Sequence, residues 1–144
     1  MSNDLEWLLI RKNSSFIVKR VVEGPVFSKE PANLTNIHSW KYSGLANNKT
    51  IAVSESESGI QIRTRKAKAS PRAVGPAYAT STIRNRSGGR RAYGVAAKLA
   101  KRGYRPDLRQ AAVARVSAIL ASQKEPKPSP PRKLRGKKAA AGPV

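Results

Sequence analysis

The chain has 144 residues, a formal net charge of +21 at pH 7 and a sequence pI near 11.4. It has no cysteine and one histidine, which excludes disulfide frameworks, cysteine nucleophiles, thiolate zinc sites and any metal centre built on several histidines. The length is typical of one domain, and so large a basic excess indicates a polyanionic partner.

The first predicted element is a short N-terminal helix. Leu5, Leu8 and Leu9 stand at positions i, i+3 and i+4, behind Ser2 as a helix-capping residue and an acidic first turn. Those acids also argue against a secretory signal peptide. The longest purely apolar run is only Leu8 to Ile10, far below the roughly 20 residues of a membrane span. We therefore expect a soluble protein of a reducing compartment.

Short strands are predicted next, because β-branched and aromatic runs alternate with Gly, Pro and Asn turns. They fall at residues 16–22, 26–28, 39–43, 49–53 and 60–64. About four of them are expected to form a small antiparallel sheet. The aromatic side chains are expected to supply most of the buried area, namely those of Trp7, Phe16, Phe27, Trp40 and Tyr42.

The amino-acid composition of the chain changes near residue 62. Residues 1–58 carry seven bases and six acids, whereas residues 59–144 carry 22 bases and two acids. The apolar residues are divided in the opposite sense, since 18 of the 29 Leu, Ile, Val and Phe residues lie within residues 1–62. This predicts that residues 1–62, the front module, can bury a hydrophobic core and that residues 63–144 cannot do so alone.

Behind this division the pattern predicts a basic extended segment over residues 63–89, with one edge strand at 78–83 as an option. A helix is predicted at 90–102, ending near Gly103. Another is predicted at 106–123, because Pro106 suits the first helical position and Asp107 complements the helix dipole. Its apolar face comprises Leu108, Ala112, Val116, Ile119 and Leu120.

The predicted fold class is therefore α+β. It consists of a globular core at 1–62, a basic extended segment at 63–89, a helical segment at 90–123 that packs on the core, and a disordered basic tail at 124–144.

No catalytic constellation stands out in the chain. His38 has no nucleophile or orienting carboxylate suggested near it, so a structural or RNA-contacting role is favoured over that of a catalytic base. Glu55 and Glu57 lie in a serine-rich turn, where solvated loop charges are expected rather than a paired acid and base. We expect no enzymatic activity, no metal and no cofactor.

The basic residues as a set predict nucleic-acid binding, because a segment of net charge +20 repels itself unless phosphates neutralise it. Arginine is well represented, which favours bidentate phosphate contact and stacking on unpaired bases. Composition alone does not choose RNA over DNA, and the Ala, Lys and Pro tail also suits a chromatin protein. The bases singled out on charge alone are Arg63, Arg65, Lys66, Lys68, Arg72, Arg84, Arg86, Arg90 and Arg91.

Several motifs resemble the eukaryotic large-subunit ribosomal proteins of family twenty-eight. They cover roughly residues 2–53 and 103–124, in order and at plausible spacing. The matching blocks are Ser14-Ser15-Phe16 with Val18-Lys19-Arg20, Phe27-Ser28-Lys29-Glu30-Pro31 with Asn33-Leu34, Lys41-Tyr42-Ser43-Gly44-Leu45 with Lys49-Thr50, and Tyr104-Arg105-Pro106-Asp107-Leu108-Arg109 leading to Ser117-Ala118-Ile119-Leu120 and Ser122-Gln123-Lys124. The nucleolar pre-ribosome factors of the Mak-sixteen type share the front module but continue into longer, acidic extensions.

The resemblance implies an α+β domain that binds large-subunit ribosomal RNA in cytoplasmic ribosomes, after a nucleolar assembly stage. The basic segment at 63–89 is then expected to bind this RNA, and the helical segment at 90–123 to pack on it as well as on the core. On the matched blocks, the bases expected to contact phosphate are Lys19, Arg20, Lys41, Lys49, Arg105 and Arg109. Tyr42, Gly44 and Pro106 are expected to be structural. Lys101, Arg102 and Arg115 complete the predicted RNA-binding set.

The expected partners are large-subunit ribosomal RNA and neighbouring ribosomal proteins, with no membrane and no homo-oligomer. Two other functions stay open at this point. One is a pre-ribosome assembly factor, and the other is a chromatin-binding protein.

Overall fold

The computed structural model describes residues 2–70, 73–101 and 103–130, without the side chain of Lys101. Three helices and five strands are present in this part of the chain. In chain order they are α1 (Asn3–Ile10), β1 (Ile17–Lys19), β2 (Val26–Ser28), β3 (Ile51–Ser56), β4 (Gly59–Arg65), β5 (Tyr78–Arg84), α2 (Gly89–Lys101) and α3 (Arg109–Ser122). Short 3-10 turns at Asn85–Ser87 and Pro106–Leu108 precede α2 and α3. The predicted α+β class is confirmed.

The strands form two separate antiparallel sheets. β1 pairs with β2, and Ile17 lies opposite Ser28. The larger sheet has the order β3-β4-β5, with Val53 opposite Ile62 and Ile60 opposite Ile83. These pairs place the branched aliphatic side chains on one face, which α2 and α3 cover.

The hydrophobic core lies between the larger sheet and the two C-terminal helices. Ile51, Ile60 and Ile62 from the sheet are almost fully buried, as are Ala96 of α2 and Val116 of α3. The small buried alanine side chains of α2 let its backbone approach α3 closely, and α3 in turn packs on β3 and β4, so a core can form from few large residues.

The core contradicts the prediction that aromatic residues supply most of the buried area. Phe27 remains 40% exposed and Trp40 44% exposed, and Tyr42 packs only at the periphery of the core. β-branched residues at alternate positions fill the sheet face instead.

The predicted strand at 39–43 is also wrong. These residues form turns, in which the backbone N–H groups of Tyr42 and Ser43 donate to the carbonyl of Ser39. This part of the chain has no strand partner, and buried polar side chains fix its conformation instead, as described below.

The helices follow the sequence pattern closely. Ser2 caps α1 by accepting a hydrogen bond from the backbone N–H of Leu5 at 3.3 Å. On α3, Ala112 and Val116 are buried, while Ile119 and Leu120 pack at the edge of the core, so the predicted apolar face is confirmed. The predicted helix at 106–123 differs from α3 mainly at its start, where residues 106–108 form a 3-10 turn before the α-helix.

The predicted division at residue 62 falls inside β4, and core residues lie on both sides of it. The segment 63–89 contains the end of β4 and all of β5. No helix among the described residues is long and apolar enough to cross a membrane. Arg72, Arg102 and residues 131–144 of the predicted tail lie outside the described residues.

Candidate nucleic-acid interface

The outer face of the larger sheet, opposite α2 and α3, is polar and basic. Because Gly59 pairs with Arg84 and Arg63 pairs with Thr80, Arg63 and Arg84 stand on this same face. Both are exposed, as are the threonines of β5 beside them. No carboxylate of β3, β4 or β5 occupies this face in the register, so its charge is uncompensated within the sheet.

A second basic group surrounds the start of α2. Arg86, Arg90 and Arg91 are exposed there, and no acidic residue is in the first turn of the helix. Cations at a helix N-terminus are unfavourable, because the partial positive charge of the helix dipole lies at the same end. The placement of these arginines therefore lowers the stability of the isolated protein and suits an anionic partner.

The loop from 39 to 50 is built on a buried carboxylate. Glu30 is almost fully buried, and its Oε2 accepts hydrogen bonds from the Ser43 hydroxyl at 3.0 Å and from the Gly44 backbone N–H at 2.7 Å. Gly44 is required for this approach, because a Cβ there would lie 2.4 Å from the Cβ of Ala32. The expectation that Gly44 is structural fits this geometry.

Arg105 clamps the same loop to the helical part of the chain. Its guanidinium donates to the carbonyl of Lys41 at 2.9 Å and to that of Lys49 at 3.1 Å. It also makes a bidentate pair with Asp107, with Nε–Oδ1 at 2.8 Å and Nη2–Oδ2 at 2.6 Å. The Arg105 side chain is only 15% exposed. Four of its five N–H donors are used within the protein, which gives Arg105 a structural role in this loop; the phosphate contact implied by the resemblance stays a prediction.

Tyr104 ties the loop before α3 to the end of the sheet. Its hydroxyl accepts from the Thr50 backbone N–H at 3.0 Å and donates to the carbonyl of Arg65. Burial raises the pKa of the Tyr104 hydroxyl above its usual value, against the lowering effects of the hydrogen bond to Thr50 and the charges of Arg65 and Arg105. The neutral hydroxyl is therefore the form that the fold stabilises.

The Arg105–Asp107 pair makes the stability of the fold depend on pH. The hydrogen bond from Arg105 holds the pKa of Asp107 below its usual value. The folded state thus favours the ionised carboxylate, and this stabilisation is present above about pH 4 and is lost as the pH falls through the lowered pKa.

When the pH is lowered from 6 to 3, the urea concentration at the midpoint of unfolding should fall for the natural chain. We expect it to fall less for the Asp107→Asn variant. Asp4→Asn is the matched control, since Asp4 is exposed and lies in α1. An equal drop for the natural chain and Asp107→Asn would contradict this assignment.

The remaining predicted bases are placed on the surface. Arg65 and Arg115 are partly buried, and the others whose side chains the structure describes are exposed: Lys19, Arg20, Lys41, Lys49, Arg63, Lys66, Lys68, Arg84, Arg86, Arg90, Arg91 and Arg109. Two of them lie against aromatic rings, with Lys41 Nζ 5.4 Å from the Tyr42 ring centre and Lys49 Nζ 5.8 Å from that of Tyr104. The Arg105–Asp107 pair is the one salt bridge within residues 2–70, 73–101 and 103–130.

His38 has a structural setting. Its Nε2 lies 2.8 Å from the carbonyl oxygen of Arg11, and its ring centre lies 4.9 Å from that of Trp7. It therefore joins α1 to the loop before residue 39. Among the described residues, no group of three His, Cys, Asp or Glu side chains is arranged to hold a metal ion.

Two surface features are absent from the predicted set. Lys98 is exposed on α2 and continues a helical stripe from Arg91 and Gly94, at spacings of three and four residues, which the sequence could have shown. The second is a pocket of about 430 Å³ beside Trp40. Its walls come from distant parts of the chain, so no local motif predicts it.

Comparison with known proteins agrees with the resemblance. The family model described as the Ribosomal L28e protein family matches residues 5–122. The protein named Large ribosomal subunit protein eL28 from Schizosaccharomyces pombe is 35% identical over 129 residues, covering 88% of this chain and 96% of the relative. Its namesake from Dictyostelium discoideum is 32% identical over 135 residues, covering 94% and 98%, and that from Caenorhabditis elegans is 41% identical over 83 residues, covering 58% and 64%. With most of its length matched and its fold consistent with the motifs, the chain belongs to the Ribosomal L28e family.

Proposed function

We propose that this chain is a structural constituent of the large subunit of the cytoplasmic ribosome, where it binds and stabilises folded ribosomal RNA during translation. Family membership supports this, together with two relatives named large ribosomal subunit proteins that the chain spans almost completely. Its partners are then ribosomal RNA and the neighbouring proteins of that subunit.

The observation that carries the RNA-binding role is the shortage of internal counter-charges. The chain has a net charge of +21, yet its described residues form a single salt bridge. Phosphates neutralise such cations and release their own counterions, which drives binding without a sequence requirement. RNA segments that repel one another can then pack together.

The bases that we assign to phosphate contact are those on the outer sheet face and around α2, because no carboxylate accompanies them. Arg63 and Arg84 lie on the first surface, and Arg86, Arg90 and Arg91 on the second. Most of the remaining exposed bases extend these surfaces or lie on the front module. The resulting mechanism is electrostatic scaffolding, in which the fold fixes the positions of the cations.

The test is sedimentation of the tagged full chain from lysate through a sucrose gradient, with and without puromycin. We expect it to migrate with free large subunits and with polysomes, to be absent from free small subunits, and to follow large subunits when puromycin releases them. Restriction to heavy nuclear particles would indicate an assembly factor instead. Migration with chromatin, and release by DNA digestion, would overturn the RNA-binding role.

A further inference from the structure

Trp40 is an unusually exposed aromatic residue for a chain with so small a core. It remains 44% exposed, and its indole N–H makes no hydrogen bond with the described residues. Burying a tryptophan is among the largest stabilising contributions that a side chain can make. The fold forgoes part of that stabilisation here, and the exposed part of the ring is open to a ligand.

The pocket beside this ring is lined by polar and charged residues, and most of its surface is apolar. Its walls are formed by Trp40 together with Asn3, Asn47, Asn48, Lys49, Arg105 and Asp107, around a cavity of about 430 Å³. The side-chain amides of Asn3 and Asn48 make no hydrogen bond with the described residues. Both are therefore free to donate and to accept, which is what recognition of a base edge requires.

The pocket is held rigid from two sides. Asn47 Nδ2 donates to the carbonyl of Trp40 at 2.7 Å and to that of Ser43 at 2.8 Å. Arg105 fixes the carbonyls of Lys41 and Lys49, which flank the same stretch of chain. A site ordered before binding loses less conformational entropy when its ligand arrives.

The charge of the pocket suits a nucleotide. Asp107 is its one acidic wall residue, and the bidentate contact with Arg105 compensates that charge. The Lys49 ammonium is exposed beside the pocket and is free of any carboxylate among the described residues. An aromatic face, free amides and a cation together make the combination that binds an unstacked base and its phosphate.

We propose that this pocket holds one unpaired RNA base, stacked on Trp40 and hydrogen-bonded by the nearby asparagine amides, with Lys49 beside its phosphate. The inference rests on the proposed function and adds a site to it. A base inside a duplex is already stacked and paired, so the pocket distinguishes single-stranded from double-stranded RNA.

The experiment measures binding of the full chain to a single-stranded oligouridine and to an RNA duplex of equal length. In a Trp7→Phe background, Trp40 is the sole tryptophan, since the chain has two. We expect the single strand, and not the duplex, to quench its fluorescence. Trp40→Ala should weaken single-strand binding about tenfold and leave duplex binding and the salt dependence unchanged. Trp40→Phe should retain most of the affinity.

Val22→Ala is the matched control, because Val22 is 84% exposed and lies outside the pocket. The site is overturned if Trp40→Ala and the natural chain bind the single strand equally, or if Trp40→Ala weakens duplex binding to the same extent. Failure of the natural chain to bind either RNA would instead overturn the proposed function. If the alanine variant does not fold, the Trp40 fluorescence of the Trp7→Phe chain keeps the test decisive, because a single strand that binds without quenching it overturns the site.

Discussion

Replacing Arg86, Arg90 and Arg91 together with glutamine should weaken binding to folded large-subunit RNA about 100-fold at moderate salt. The slope of log K against log salt falls by about 0.9 for every phosphate that the protein no longer neutralises, so it should fall by about 3 in magnitude. The same variant should be more stable than the natural chain by about 1 kcal/mol, because repulsion at the start of α2 is removed. Filter binding across a salt series and urea denaturation measure the two effects.

In this variant the affinity for RNA should fall while the stability of the fold rises. These opposite changes distinguish a binding role of the three arginines from a structural one. A control with the same charge change, Arg11→Gln, Lys12→Gln and Lys29→Gln, alters exposed bases of the front module. It should keep the greater part of the affinity and of the salt dependence. Equal reductions in affinity for the two triple variants would mean that net charge alone, and not the surface around α2, determines binding.

Gly44→Ala should destabilise the fold by about 2 kcal/mol or more. A Cβ at this position would lie 2.4 Å from the Cβ of Ala32 and 3.1 Å from its Cα. Because the obstacle includes backbone, the loop must shift, and the hydrogen bond from Gly44 N–H to the buried Glu30 carboxylate is then weakened. Thermal or urea unfolding of the purified full chain measures the change in stability.

Gly94→Ala is the matched substitution with the opposite expectation. Gly94 lies within α2, and a Cβ there would meet nothing within 4 Å. Alanine should therefore stabilise the helix by about 0.5–1 kcal/mol. Finding the same change in stability at both glycines would contradict the close contact between residues 32 and 44.

Local sequence predicts the helices well because their signals are local. The capping hydroxyl of Ser2, and the spacing of Ala112 and Val116 on α3, each act within a few residues. The wrong strand at 39–43 has a different cause. That stretch has strand-like composition, but its conformation is set by Glu30, 13 residues before Ser43, and by Arg105, 64 residues after Lys41.

Of the candidate interface, the sequence predicts the positive charge but not which bases form the surface. An excess of arginine appears in composition, and exposure of Arg63 or Arg90 follows from it. Sequence does not distinguish those bases from Arg105, whose donors reach carbonyls 56 and 64 residues away. The pocket at Trp40 is equally non-local, since the tryptophan would be assigned to the core by hydrophobicity.

The contacts of Tyr104 and Arg105 have a consequence for the order of folding during synthesis. They fasten residues 41–50 through partners 54 to 64 positions later in the chain. The front loop therefore cannot reach its final form until the segment before α3 has left the polypeptide exit tunnel. Such long-range closure slows folding, and it leaves the nascent front module incomplete while the cationic strands and α2 emerge. A polypeptide released at residue 62 would lack both fastenings and the helices that cover the sheet.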